Sequence, residues 1–205
     1  MARSAPAAIQ SQSHPKISQF SAIFPVPFGA VVRYGARTRD DAKGRAMKGD
    51  EQVIQLLNET LKNELTAINQ YWLHYRMLDN WGVKRLADYE RHESIDEMKH
   101  ADTLADRILF LDGLPNFQML GRLRVGETVE EILRADLDLE YEAREQLRGA
   151  IVHCETVRDF VSREVFERIL ESEEAHIDFL ETQFEMIGRM GLENYIQLQS
   201  KPAED

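Results

Sequence analysis

The sequence predicts an all-α fold: a four-helix bundle with one long crossover connection and a short fifth helix at its C-terminal end. Three observations predict it. From Asp50 onward, apolar residues recur about every 3.6 residues, as in Val53, Leu56, Leu57, Leu61, Leu65, Ile68 and Trp72. Charged residues make up 30% of the 205 and only six prolines interrupt the chain, so long amphipathic helices are feasible. The two halves also carry the same acidic spacing: Glu64 precedes Glu97 by 33 residues, and Glu140 precedes Glu173 by 33.

The first helix starts at Asp50, whose side chain suits an N-cap, and runs to about Asn80, where Asn80-Trp81-Gly82 offers a turn. The second runs from about Val83 to Leu111. Gly113, Pro115, Gly121 and Gly126 then mark a connection of roughly fifteen residues, long enough when extended to cross the length of a bundle. Thr128 and Glu131 form a capping box that opens the third helix. It reaches the neighbourhood of Glu155, and Thr156 is the expected cap of the fourth, which runs to about Arg189 with Gly191 past its end. Leu192–Gln199 is expected to form the fifth, small helix.

Within this layout two Glu-x-x-His pairs stand out, Glu97 with His100 and Glu173 with His176. A spacing of three residues puts carboxylate and imidazole on one face of a helix. The first turn falls midway between Glu64 and Glu97, and the second midway between Glu140 and Glu173. Residues equidistant from a hairpin turn share one height, so both hairpins bring ligands to mid-bundle, about 25 Å from their turns. One Glu from each of two helices and Glu-x-x-His from each of the other two is the pattern known for di-iron carboxylate bundles. Such an oxygen-rich set with two imidazoles suits iron or manganese better than thiolate-seeking metals.

Helical angles separate other residues from this face. With Glu97 at zero, Met98 falls near +100°, away from the ligands; with Glu64 at zero, Tyr71 falls near −20°, on the ligand face. Leu65, Ile68, Asn69 and Trp72 form a largely apolar stripe turned away from it. His92 and Asp96 point in a third direction, to solvent or to an internal compartment. His74 and His153 are expected in ordinary helix-surface roles, and Cys154 is expected to be inert.

The net charge of −11 is uneven: residues 1–46 carry seven Lys/Arg against two Asp, leaving the rest of the chain strongly acidic. An acidic body disfavours nucleic acid and attracts cations. Residues 1–46 show no sustained helical period. They are expected to be a disordered extension, or to precede a natural start at Met47; transit-peptide and nucleic-acid-tail readings fit less well. The domain is therefore expected over 47–205. One cysteine excludes an intrachain disulfide and fits a reducing compartment. No run is apolar enough to cross a membrane, so the expected location is cytoplasmic.

The chain resembles bacterioferritins over about residues 47–200. The likeness is carried by Met47–Asp50, Ala67–Tyr71, His92–Asp102, Arg107–Leu111, Gly113–Pro115 and Met190–Tyr195. It implies a ferritin-like bundle whose ferroxidase ligands are Glu64, Glu97, His100, Glu140, Glu173 and His176, with Glu97 and Glu173 bridging and Tyr71 close by. It implies haem b held by Met98 from each of two subunits across a two-fold axis, and an inner-surface iron site at His92 and Asp96. It further implies a homo-oligomeric shell of twenty-four subunits built from two-fold dimers. That shell oxidises Fe2+ with O2 or H2O2, stores ferric mineral, and calls on an electron-donor protein for release. The alternatives are a non-storing di-iron peroxidase of the rubrerythrin type, which shares the ligands, and a metal-free helical interaction protein. A DNA-protecting small ferritin fits less well, since its iron site lies between subunits.

Overall fold

The computed structural model of the protein describes residues 48–200. The expectations for residues 1–46 lie outside the described residues. Five helices follow in chain order: α1 (Glu51–Trp81), α2 (Lys84–Phe110), α3 (Val129–Val157), α4 (Phe160–Met190) and α5 (Leu192–Gln199). All described regular structure is helical.

Each boundary has a local cause. Asp50 accepts hydrogen bonds from the Gln52 and Val53 amides, both at 3.0 Å, and so satisfies two free donors at the start of α1. Gly82, at φ +83°, ends α1 in the left-handed region where glycine is unstrained. Thr128 Oγ1 accepts from the Glu131 amide as the capping box requires, but Glu131 reaches back to the Glu127 amide instead of that of Thr128. The expected cap at Thr156 is not used: its hydroxyl bonds back to the Val152 carbonyl inside α3. The helix runs on to Val157, Arg158 turns the chain at φ +59°, and Asp159 caps α4 through the Ser162 amide.

The connection from α2 to α3 is laced along α1. The Asn116, Gly121, Arg124 and Gly126 amides donate to Asn58, Thr66, Gln70 and His74 side chains in turn. Those acceptors climb α1 over sixteen residues, about 24 Å. The segment thus carries the chain from one end of the bundle to the other. At its far end Gly126 is required, because a Cβ there would lie 2.3 Å from the Ile132 amide nitrogen.

The four long helices bury two apolar clusters. One holds Val53, Leu57, Leu61, Leu104, Ile108, Leu147 and Phe166. The other, closed by α5, holds Leu78, Leu86, Ile132, Leu133, Leu180 and Tyr195. Each large side chain so buried contributes about 1.5–3 kcal/mol. Tyr195 anchors α5 by donating to Gln183 Oε1 at 3.1 Å.

Candidate metal centre

A layer of carboxylates lies inside the bundle. Glu64, Glu97, Glu140 and Glu173 come one from each long helix, and all four are almost fully buried. Their heights follow from the turns. Glu64 and Glu97 lie 18 residues before and 15 after Gly82, while Glu140 and Glu173 lie 18 before and 15 after Arg158. The turns sit one or two residues later than the midpoints read from the sequence, by the same offset in both hairpins, so the registry between them survives.

The six expected residues form two overlapping groups. Glu64, Glu97, His100 and Glu173 offer ligand atoms within 4.8 Å of one another, as do Glu97, Glu140, Glu173 and His176. Glu97 and Glu173 belong to both, which is where carboxylates shared between two cations would stand. His100 Nδ1 lies 2.9 Å from Glu97 and 3.3 Å from Glu64. His176 Nδ1 lies 3.1 Å from Glu173 and 3.3 Å from Glu97. Tyr71, fully buried on the same face, donates its hydroxyl to Glu140 Oε1 and meets the His176 ring edge-on with centroids 6.5 Å apart.

The electrostatics of this layer call for cations. Burial drives the Glu64 carboxyl well above the usual carboxylate range, with the charges of Glu97 and Glu173 adding to it. Burial likewise raises Glu173, with the charges of Glu97 and Glu140 adding, and it raises Glu140 as well. For Glu97 burial also pushes upward, but the proximity of Glu64, His100 and His176 outweighs it and holds this carboxyl low. Burial would lower His176, yet its four carboxylate neighbours raise it strongly. Glu97 Oε1, Glu173 Oε2 and His176 Nδ1 are buried with no hydrogen-bond partner. Stranding that many anionic oxygens away from water is costly unless positive charge joins them. Two divalent cations would balance four carboxylates and take up these free atoms, so the residues fit the metals that their spacing suggested.

Other expected residues fall elsewhere. Met98 is 51% exposed on the outer face of α2, and Trp72 is exposed on that of α1, while Leu65 and Ile68 are half-buried against the core. His92 is exposed and its Nδ1 lies 2.7 Å from the Asp88 carbonyl, while Asp96 pairs with Lys99. Among the described residues no group of three or more potential ligands includes either of them. His153 is half-buried beside the α1 cap, with Nε2 3.4 Å from Asp50 Oδ1. Cys154 is buried and its thiol is pushed up to about 11 by burial, as an inert cysteine requires.

His74 corrects the surface role expected for it: it is fully buried, with Nδ1 2.9 Å from Asp136. Glu93 was also missed. It stands one turn before Glu97 on the same face, and its Oε2 lies 2.5 Å from His176 Nε2. Its four-residue spacing from Glu97 was the available signal, hidden among many solvent-facing glutamates.

Comparison with known proteins accords with this geometry. A ferritin-like domain is matched over residues 54–190. The bacterioferritin of Brucella melitensis biotype 1 is 50% identical over 159 residues, covering 78% of this chain and 99% of that protein. That of Mycolicibacterium paratuberculosis is 52% identical over 157 residues, covering 76% and 99%. Bacterioferritin BfrA of Mycobacterium tuberculosis is 51% identical over the same shares. From its bundle, its buried carboxylate layer and half-identity along nearly the full length of these relatives, the chain belongs to the bacterioferritins within the ferritin-like family.

Proposed function

We propose that the carboxylate layer is a ferroxidase centre, which binds two Fe2+ per subunit and oxidises them with O2 or H2O2 for storage as ferric mineral. Iron storage is the function of the bacterioferritins to which the chain belongs. The observation that carries the ferroxidase reading is the overlap of the two ligand groups at Glu97 and Glu173. Glu64 and His100 would hold one iron, Glu140 and His176 the other, with the two shared carboxylates between them. Bound iron supplies the electrons for reduction of the oxidant. The protein's own part is electrostatic and positional. Four buried carboxylates favour Fe3+ over Fe2+, Tyr71 fixes the orientation of Glu140, and Glu93 holds the outer nitrogen of His176. The acidic body draws Fe2+ toward the subunit.

The same reading places haem b at Met98 on a two-fold axis, each subunit supplying one thioether as an isologous contact requires. The half-exposed Met98 and the apolar residues Leu65, Ile68 and Trp72 are compatible with a porphyrin wall. A twenty-four-subunit shell, a secondary inner-surface iron site at His92 and Asp96, and an electron donor for release complete it.

The deciding experiment replaces Glu64 and His176 together by alanine. The variant should keep its helices and its particle mass by size exclusion, yet lose rapid Fe2+ oxidation in stopped-flow absorbance. Unchanged initial rates would refute the assignment. Mineral capacity separates storage from a peroxidase that stores nothing.

A further inference from the structure

A second group of ligand-bearing side chains lies deeper toward the α5 end. His74 on α1, Glu90 on α2 and Asp136 on α3 are all fully buried, and one ligand atom from each lies within 4.8 Å of the others. Glu90 stands seven residues from Glu97, about 10 Å along α2, and Asp136 one turn before Glu140. The group is therefore distinct from the ferroxidase residues. Asp136 is held in place: Gln70 Nε2 donates to its Oδ1 at 2.8 Å, and His74 Nδ1 lies 2.9 Å from both its oxygens. Gln70 in turn donates to the Ala135 carbonyl and accepts from the Arg124 amide.

Glu90 is the anomaly. Both of its oxygens are buried and neither has a hydrogen-bond partner. Among the described residues no lysine or arginine pairs with Glu90 or Asp136. A carboxylate in that position cannot persist with its charge uncompensated. Either a proton or a cation must neutralise it.

We propose that His74, Glu90 and Asp136 bind one divalent first-row cation per subunit, Fe2+, Mn2+ or Zn2+, as a structural site apart from the iron-oxidising centre. One imidazole nitrogen and two carboxylates suit these ions, and two negative charges balance a dication. Three helices supply the ligands, so the ion would tie α1, α2 and α3 together beneath Tyr195 of α5. The competing hydrogen bonds are known. The Gly126 amide reaches His74 Nε2 at 3.4 Å, which favours the tautomer that donates from Nδ1 to Asp136. When the cation takes Nδ1, the single imidazole proton moves to Nε2 and the Gly126 contact, longer than any other in the group, is given up.

Co2+ is the probe, because its visible absorption reports coordination and its anomalous scattering locates it. Crystals of the metal-stripped protein soaked in Co2+ should show an anomalous peak between His74, Glu90 and Asp136. In solution, the Glu64→Ala, His176→Ala protein should retain one Co2+ per subunit and melt several degrees higher with it. Adding Glu90→Gln should remove both the ion and the shift. If the triple variant does not fold, the soaked wild-type crystal decides alone. No anomalous density at saturating Co2+ overturns the proposal; an infrared band of a protonated carboxyl, lost in Glu90→Gln, would then assign a proton to Glu90. Neither result depends on whether the other centre oxidises iron.

Discussion

Glu64 shows how a residue of the proposed metal centre weakens the fold that carries it. Its carboxyl lies fully buried among Glu97, Glu140 and Glu173, and its pKa is driven well above the ordinary 4.5. Above pH 4.5 the metal-free native state therefore keeps a proton that the unfolded chain releases. The contribution of this residue to stability falls as pH rises through that range. Glutamine has the same shape and no charge to desolvate. Glu64→Gln should thus raise the melting temperature of the metal-free protein at pH 7, by a margin that shrinks toward pH 4. About 1–3 kcal/mol is expected at pH 7, or about 2–4 °C for each kcal/mol. Iron oxidation should fall at the same time. A melting point unchanged or lowered across the pH series would show that Glu64 is not destabilising. His176 also carries a raised pKa, whose stabilisation is likewise lost as pH rises, here above the ordinary imidazole value of 6.5; it is present in both proteins and largely cancels in the comparison.

At the scale of elements, the α3–α4 turn is where local chemistry was hardest to read. Thr156 and Asp159 are both plausible caps by residue type. Asp159 accepts from the Ser162 amide at 3.0 Å, the Ser162 hydroxyl at 2.7 Å and Arg107 of α2 at 2.8 Å. It therefore joins the two hairpins as well as starting α4. Asp159→Ala should cost about 2–3 kcal/mol, from a lost cap and a mostly buried guanidinium left without its carboxylate. Thr156→Ala should stay within about 0.5 kcal/mol, since its hydroxyl bonds only within its own helix turn. Denaturant melts of the two variants test the pair, and equal losses would contradict the assignment.

At the scale of the whole molecule, the bundle turns different faces of the same helix to different surroundings. Glu97 points inward to the carboxylate layer and the neighbouring Met98 outward, half-exposed. Met98→Leu keeps volume and apolarity, so packing should survive with little loss. Under the proposed haem site, this variant should lose haem absorption while Fe2+ oxidation persists, because Glu97 and Met98 lie on different faces of α2. Iron release to an external reductant should slow. Stoichiometric haem with an unchanged spectrum in Met98→Leu would exclude this methionine as the ligand.

The all-α class, four of the five helix starts within a residue or two, and the six residues of the carboxylate layer were legible in the sequence. Helical period and the i, i+3 spacing are local properties, and equal distances from two turns transmit them to a common height. The short helix Leu192–Gln199 is found where its pattern placed it. Only the tertiary structure decided that the two hairpins pack so that Glu97 and Glu173 are shared between both ligand groups. It also decided that Glu93 reaches His176 and that His74, read as a surface residue, is buried against Asp136. Those facts depend on partners 62 to 83 positions away in the chain, on helices whose relative rotation no local spacing records. A histidine on an amphipathic helix looks the same in sequence whether its neighbour is water or a carboxylate from another helix. Packing makes that choice, because the cost of burying a polar group depends on which group it meets.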